Sequence, residues 1–121
     1  MDISNQALRE EVIRPTLMYI GKHSLAAENL LVSVINRFSS HPQQSQKGFG
    51  PYQIDAMTHQ QVWDRYLAFR PDLASCIRGL ASQRAFLANP HSELSTNLCY
   101  ATAIAFVVFI LHPIEIQNHA A

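Results

Sequence analysis

The sequence contains few charged residues and no excess of either sign. Its 121 residues include nine Lys and Arg against nine Asp and Glu, so charged residues make up 15% of the chain and the formal net charge is zero. Sequence-independent binding to nucleic acid needs a basic surface, and no cluster of Lys and Arg provides one, which argues against this class of function. A surface with few charges gives little electrostatic repulsion between molecules. Binding to a protein partner and formation of a homo-oligomer are therefore both compatible with the composition.

Glycine and cysteine are scarce as well. With four glycines, the chain carries neither a Walker motif nor a G-x-G-x-x-G fingerprint. The two cysteines, Cys76 and Cys99, form no C-x-x-C pair, and we expect both to be buried and reduced. No two of the six histidines have the close spacing of a metal-binding motif, so the sequence predicts no metal site and no cofactor.

Targeting signals and long apolar runs are also lacking. The N-terminus reads MDISNQ, which is polar and lacks the basic start and apolar run of a secretory signal peptide, so we expect a cytoplasmic location. The most apolar stretch, residues 98–111, is fourteen residues long, whereas a membrane-spanning helix needs about 20. It is therefore expected to be a buried core helix and not a membrane span.

Apolar residues are abundant, at 48% of the chain, and this is enough for one independent domain over residues 1–121. Residues 1–4 and 114–121 are expected to be flexible ends. Apolar positions recur at helical spacing, and no strand-like alternation of useful length occurs. The predicted fold class is all-α, with five or six helices around the apolar C-terminal helix.

Proline and serine mark the helices of the N-terminal half. A first segment runs from about Asn5 to Ile20, and Pro15 inside it predicts a kink or a break. Ser24 is a good N-cap for a second helix. The core-facing stripe of that helix has spacings of four, four and three residues: Ala27, Leu31, Ile35 and Phe38. A polar loop of about ten residues follows, a length often associated with function or mobility.

Glycine, proline and capping residues also indicate where the helices of the C-terminal half begin. Residues 49–55 place aromatic side chains around glycine and proline, and they predict a tight extended wedge. Thr58 and Gln61 match a capping box at the start of the next helix. Pro71 suits the first turn of the helix after that, and Ser92 is expected to cap the last helix.

The segment GPYQIDAMTH, residues 50–59, followed by Val62-Trp63 and Tyr66-Leu67, resembles a family of small phage-encoded lysozyme-like proteins. These proteins are related to soluble lytic transglycosylases. Members carry a segment close to G-[LIF]-x-[YF]-Q-[IM]-E-P-A-T-H, then a Trp and a Tyr-Leu. The resemblance covers roughly residues 8–108, and it implies a lysozyme-like helical fold and a phage or prophage origin.

The resemblance also implies a catalytic residue that this chain lacks. The family cleaves the glycan strand of peptidoglycan with a single Glu, usually followed by Ser, at the end of the helix before the wedge; this Glu acts as the general acid. Apolar surroundings must raise its pKa if it is to stay protonated near neutrality. Aligned on Ala26-Ala27-Glu28, this sequence has Phe38-Ser39 at that place, and no acidic residue occurs between Glu28 and Asp55. The catalytic Glu that the resemblance implies is therefore missing from this sequence.

Two other carboxylates are weak catalytic candidates. Glu28 lies ten residues before Phe38, roughly 15 Å along a helix, and a solvated or helix-capping role is favoured for it. Asp55 lies in the wedge, where the family commonly has Glu. A structural role, accepting backbone N–H groups at the start of the next helix, is favoured for Asp55.

Several other residues are candidates for a groove or for partner binding, each with a structural alternative. Tyr52 and Gln53 line a sugar groove by resemblance, or else Tyr52 packs into the core and Gln53 bonds backbone. His59 contacts a ligand or is an exposed first-turn residue; Trp63, with Tyr66, stacks on a sugar or belongs to the core; Tyr100 faces the groove or the core. The full set is Phe38, Tyr52, Gln53, Ile54, His59, Trp63 and Tyr100.

These observations predict a catalytically degenerate lysozyme-like protein that acts by binding a protein partner, for example as an inhibitor of a host process. One alternative is an active lytic transglycosylase or muramidase that uses Glu28 or Asp55, and the peptidoglycan glycan strand is a second potential ligand. Another alternative is a small structural virion component that forms homo-oligomers.

Overall fold

A computed structural model describes residues 5–40 and 48–111, and this part of the chain is all-α, as predicted. The α-helices are α1 (Asn5–Leu8), α2 (Arg14–Tyr19), α3 (Leu25–Ser40), α4 (Ala56–Gln61), α5 (Pro71–Leu80), α6 (Gln83–Ala88), α7 (Glu93–Thr96) and α8 (Leu98–Leu111). Two π-helical segments, Arg9–Ile13 and Val62–Tyr66, and two 3-10 turns, Leu67–Phe69 and Pro90–Ser92, connect several of them. The predicted flexible ends and most of the predicted polar loop lie outside the described residues.

Helix α8 supplies the largest continuous part of the core. Every residue from Tyr100 to Val107 is buried, and the helix packs against α2, α3 and α5. Within residues 5–40 and 48–111, no individual helix is long and apolar enough to cross a bilayer. The bent pair Pro90–Thr96 and Leu98–Leu111, at an angle of 108°, reaches that length and composition only when its two members are combined.

The break predicted at Pro15 takes the form of a wider helical turn. Proline has no N–H group to donate within the helix. The five residues before Arg14 are π-helical, and the Arg14 N–H donates to the carbonyl of Arg9, five residues earlier. Pro15 then lies in the first turn of α2, where the missing N–H removes no hydrogen bond. The backbone thus stays helical across the proline.

Of the four helix starts predicted from capping and proline residues, two are confirmed and two, at Thr58 and Ser92, are wrong. The Ser24 hydroxyl accepts from the N–H of Ala27 at 3.0 Å, and Pro71 opens α5, both as expected. The cap predicted at Thr58 is wrong, because α4 begins earlier and a carboxylate oxygen of Asp55 accepts the Thr58 N–H at 2.7 Å. The favoured structural role of Asp55 is thus the observed one.

The prediction of Ser92 as the cap of the last helix is also wrong. The Ser92 hydroxyl donates to the carbonyl of Asn89, at 2.8 Å, and makes no cap hydrogen bond. The chain bends between α7 and α8, and at this bend the side-chain oxygen of Asn97 accepts the N–H of Tyr100 at 3.1 Å. Helix α8 therefore begins at Leu98, and a separate short helix precedes it.

Candidate functional site

The predicted wedge is a tight turn and not an extended segment. Phe49 and Ile54 form an isolated antiparallel bridge, with N–H···O distances of 2.9 and 3.3 Å. Gly50 and Gln53 have φ values of 72° and 51°, the left-handed region that a turn of this kind requires. A Cβ on Gly50 would collide with the carbonyl oxygen of Leu94, so the turn rests directly on the backbone of α7.

The side chain of Gln53 holds this turn together. Its amide nitrogen donates to the carbonyl of Gly50 at 2.6 Å, and its amide oxygen accepts the N–H of Gly48 at 3.2 Å. This is the backbone-bonding alternative raised from the sequence. Both ends of the amide are engaged within the turn, although the side chain also lines the groove described below.

Tyr52 and Ile54 point into the core, with 4% and 5% of their surface exposed. The Tyr52 hydroxyl lies 2.8 Å from the hydroxyl of Thr102, which donates its own proton to the carbonyl of Leu98 at 2.8 Å. Tyr52 must therefore be the donor to Thr102. Burial raises the pKa of Tyr52 far above its ordinary value. Tyr52 thus follows the core alternative, and its hydroxyl anchors the turn to α8.

A groove with a volume of about 470 Å³ lies beside the turn, and we call it the Phe38 groove. Its apolar lining comes from Phe38, Pro51 and Leu98. Hydroxyl groups and one amide complete it: Ser39, Gln53, Ser95 and Thr96. None of these lining residues carries a carboxylate. The groove thus brings together two predicted residues, Phe38 and Gln53, on a surface without a proton donor of the carboxylic acid type.

Glu28 is buried inside the protein, which corrects the favoured interpretation as a solvated or capping residue. Only 1% of its side chain is exposed, and it forms ion pairs with Arg14 at 2.9 Å, with Arg9 at 3.1 Å and with His23. The hydrogen bond from Arg14 is the main reason that the pKa of Glu28 falls to about 2, against the opposing effect of burial. A carboxylate held ionised in this way cannot act as a general acid near neutrality.

His59, Trp63 and Tyr100 form a second cluster, which is not part of the Phe38 groove. His59 is 1% exposed, which corrects the favoured interpretation as an exposed first-turn residue. Its two ring nitrogens lie 2.7 Å from the Tyr100 hydroxyl and 2.8 Å from the ring of His91. Burial, and secondarily the neighbouring His91, lower the pKa of His59 to about 4.

One assignment of protons satisfies the whole cluster. The indole N–H of Trp63 donates to the Tyr100 oxygen at 2.9 Å. The hydroxyl proton of Tyr100 can then go to Nε2 of His59, and the Nδ1–H of His59 can go to Nδ1 of His91. A neutral His59 fits this series of hydrogen bonds. A protonated ring would carry a hydrogen on both nitrogens and could not accept the hydroxyl proton of Tyr100. A cleft of about 320 Å³, lined by His59, Trp63, His91 and two neighbouring residues, opens next to it.

His91 and Glu93 lie in surroundings formed by tertiary contacts, although no sequence motif marked either residue. His91 joins a histidine 32 positions earlier, and Phe49 stacks on its other side at a centroid distance of 5.9 Å. Glu93 is 1% exposed; one of its carboxylate oxygens accepts from Asn97 at 2.9 Å, and the other has no partner among the described residues. Nothing in the local sequence distinguishes these residues, because their surroundings come from remote parts of the chain.

The two cysteines are free and partly exposed, so the prediction of reduced thiols agrees with the structure, whereas the prediction of full burial does not. The described residues contain no group of three or more His, Cys, Asp or Glu arranged to hold a metal ion. Comparisons of the chain with protein-family models, with curated proteins and with solved structures found no match. The resemblance to lysozyme-like proteins therefore stays a prediction.

Proposed function

We propose that this protein is a catalytically degenerate lysozyme-like domain that acts by binding a protein partner in the Phe38 groove. The observation that carries the proposal is the position of Phe38. Its side chain lines the groove beside Gln53, at the place where the resemblance requires the catalytic Glu. A phenyl ring has no proton to give to a glycosidic oxygen.

The remaining candidate carboxylates do not supply the missing acid. Glu28 is ionised and is enclosed by Arg9, Arg14 and His23. Asp55 is exposed and accepts the Thr58 N–H at the start of α4. Neither residue lines the Phe38 groove. General acid catalysis needs the donor within hydrogen-bond reach of the leaving oxygen, so a binding role is favoured over cleavage.

Two of the four polar groups of the groove are already hydrogen-bonded within the protein, which favours a protein over a sugar as its occupant. Recognition of a glycan requires free donors and acceptors for its hydroxyl groups. The amide of Gln53 is engaged by Gly50 and Gly48, and the hydroxyl of Thr96 donates to the carbonyl of Ser92 at 3.1 Å. The hydroxyl groups of Ser39 and Ser95 lie beside an apolar lining from Phe38, Pro51 and Leu98, and this lining suits an apolar side chain of a partner protein.

Restoring the acid tests the degenerate scaffold. Turbidity of a peptidoglycan suspension is recorded with the wild type, with Phe38→Glu and with Phe38→Gln as the matched variant without an acid. We expect no clearing by the wild type or by Phe38→Gln, and measurable clearing by Phe38→Glu. Any clearing by the wild type would contradict the proposal, and Glu28→Gln and Asp55→Asn would then show whether either carboxylate is responsible.

Blocking the groove tests the binding role. Ser95 is exposed and lines the groove, so Ser95→Arg places a bulky cation there without disturbing the core. Immobilised wild type and Ser95→Arg are compared for retention of proteins from the bacterium that carries the gene, with Leu25→Arg, at a residue 65% exposed, as the control. We expect one partner to be retained by the wild type and the control but lost with Ser95→Arg. Cosedimentation of the wild type with peptidoglycan, abolished by Ser95→Arg, would instead favour the glycan strand.

A further inference from the structure

Another cleft lies beside α5; it shares Trp63 with the cleft beside His59 and no lining residue with the Phe38 groove. Its volume is about 660 Å³, and we call it the Arg78 cleft. It is lined by Trp63, Ala74, Ser75, Arg78, Gly79 and Ala81. Arg78 is the one charged residue in this set, so a single cation faces a lining that is otherwise aromatic, small or hydroxyl-bearing.

An aromatic ring holds the guanidinium of Arg78 in place. Its Cζ atom lies 4.1 Å from the centroid of the Phe86 ring, a cation–π contact. Phe86 is itself packed edge-on against Trp63 and Tyr100, at centroid distances of 5.8 and 5.9 Å. This stacking restrains the arginine before any ligand arrives, which lowers the entropy lost on binding.

Among the residues that the structure describes, no hydrogen-bond acceptor engages the N–H groups of Arg78. A ring that covers one face of a guanidinium leaves the N–H groups along its edges free, because these groups lie in the guanidinium plane. Among the described residues, no carboxylate forms an ion pair with Arg78; the ion pairs found there all involve Glu28. A restrained arginine without an acidic partner is suited to bidentate binding of a carboxylate.

The other walls of the cleft suit an apolar group next to that carboxylate. Trp63 has a fixed orientation, because its N–H donates to the buried hydroxyl of Tyr100 at 2.9 Å. Ser75 lies three residues before Arg78 and thus on the same side of α5, where its hydroxyl is a second donor. Ala74, Gly79 and Ala81 have little or no side chain, which leaves space above the indole.

We propose that the Arg78 cleft binds an acidic, apolar segment of a partner protein, with a carboxylate on Arg78 and the neighbouring apolar side chain against Trp63. A polyphosphate or nucleic acid would need several cations, and among the described lining residues Arg78 is the one that carries a charge. The inference rests on the proposed function only in that the partner is a protein. It concerns a different surface, and fixed aromatic and arginine residues of this kind are enriched among the strongest contacts of protein interfaces.

The only tryptophan of the chain, Trp63, lines this cleft and also the cleft beside His59, so its fluorescence reports on binding and the Arg78→Gln variant assigns the signal to this cleft. The probe is an acetylated and amidated octapeptide of alternating glutamate and leucine, and the glutamine–leucine peptide of equal length is its control. We expect saturable quenching or a spectral shift with the glutamate peptide, and binding by the glutamine peptide weaker by about tenfold or more. Arg78→Gln is expected to weaken glutamate-peptide binding by a similar factor.

Arg65→Gln is the matched control, because Arg65 is exposed and lies outside the cleft; it should bind as the wild type does. Equal binding of the two peptides, or unchanged binding by Arg78→Gln with a wild-type circular dichroism spectrum, would overturn the proposal. Comparable binding of inorganic phosphate or a short oligonucleotide would also overturn it. Ser95→Arg should still bind the peptide, so a failure of the Phe38 groove can be distinguished from a failure here.

Discussion

Replacing Glu28 with Gln tests the role assigned to the buried carboxylate. Glu28→Gln keeps the shape of the side chain and removes its charge. Arg9, Arg14 and His23 would then surround a neutral amide, and the amide nitrogen would meet donors where the carboxylate oxygen had accepted them. Removing one partner of a buried ion pair is generally strongly destabilising for this reason.

The expected loss follows from the pKa of Glu28. Its value falls from the ordinary 4.5 to about 2, and each pKa unit corresponds to about 1.4 kcal/mol. The full shift is thus worth about 3 kcal/mol. Arg14 and His23 are 40% and 39% exposed, so water screens part of the attraction. We therefore expect Glu28→Gln to lower the free energy of unfolding at pH 7 by about 2 kcal/mol.

Urea denaturation at several pH values provides the measurement. The folded pKa of Glu28 lies below the unfolded one, so its contribution is fully present above pH 4.5 and is lost as the pH falls towards 2. The difference between wild type and variant should therefore shrink over that interval. Glu11→Gln, at an exposed position, is the control and should change stability by less than about 0.5 kcal/mol.

A loss below about 0.5 kcal/mol at pH 7 for Glu28→Gln would refute this reasoning. A difference that does not diminish between pH 4.5 and 2 would refute it as well, because the stabilisation would then not depend on the ionised form. Measurable peptidoglycan clearing that Glu28→Gln abolishes, with stability unchanged, would instead assign Glu28 a catalytic role.

Two further variants test the histidine cluster and the turn. The folded pKa of His59, about 4, is below the unfolded 6.5, so stability should fall by up to about 3 kcal/mol as the pH drops from 6.5 to 4, and His59→Gln should flatten this dependence in thermal unfolding. An unchanged pH profile in the variant would contradict the neutral, buried state. Gly50→Ala should cost more than about 2 kcal/mol in chemical denaturation, because its Cβ meets the carbonyl of Leu94. Gly21→Ala is its control, since Gly21 has the same φ of 72° with open space around it and should lose only about 1 kcal/mol; equal losses would rule out the close approach.

The local sequence was informative wherever a structural feature depends on neighbours along the chain. Ser24 and Pro71 begin helices as their residue types predict, and the apolar run at 98–111 is the buried helix α8. The same reasoning placed a cap at Thr58 when a better acceptor, the carboxylate of Asp55, lay three residues earlier. Asp and Thr are both favourable N-cap residues, so residue type alone did not identify which of the two caps α4.

The candidate site was predicted less well, because most of its residues have contacts far away in sequence. Phe38 and Gln53 do line one groove. His59, however, is buried by Tyr100 and by a histidine that no motif had marked. The charge on Glu28 depends on Arg9, which begins the π-helical segment before Pro15, and on Arg14, which follows that segment.

The all-α class, the apolar C-terminal helix and the lack of an acidic residue at position 38 can be read from the amino-acid sequence alone, since periodicity, apolar content and residue identity are local properties. Tertiary packing, in contrast, fixes which carboxylates are engaged, the burial of His59, and the position of Arg78 in a cleft where no described residue is its acidic partner. Burial and charge pairing depend on what packs around a side chain, and those neighbours come from helices that are remote along the chain.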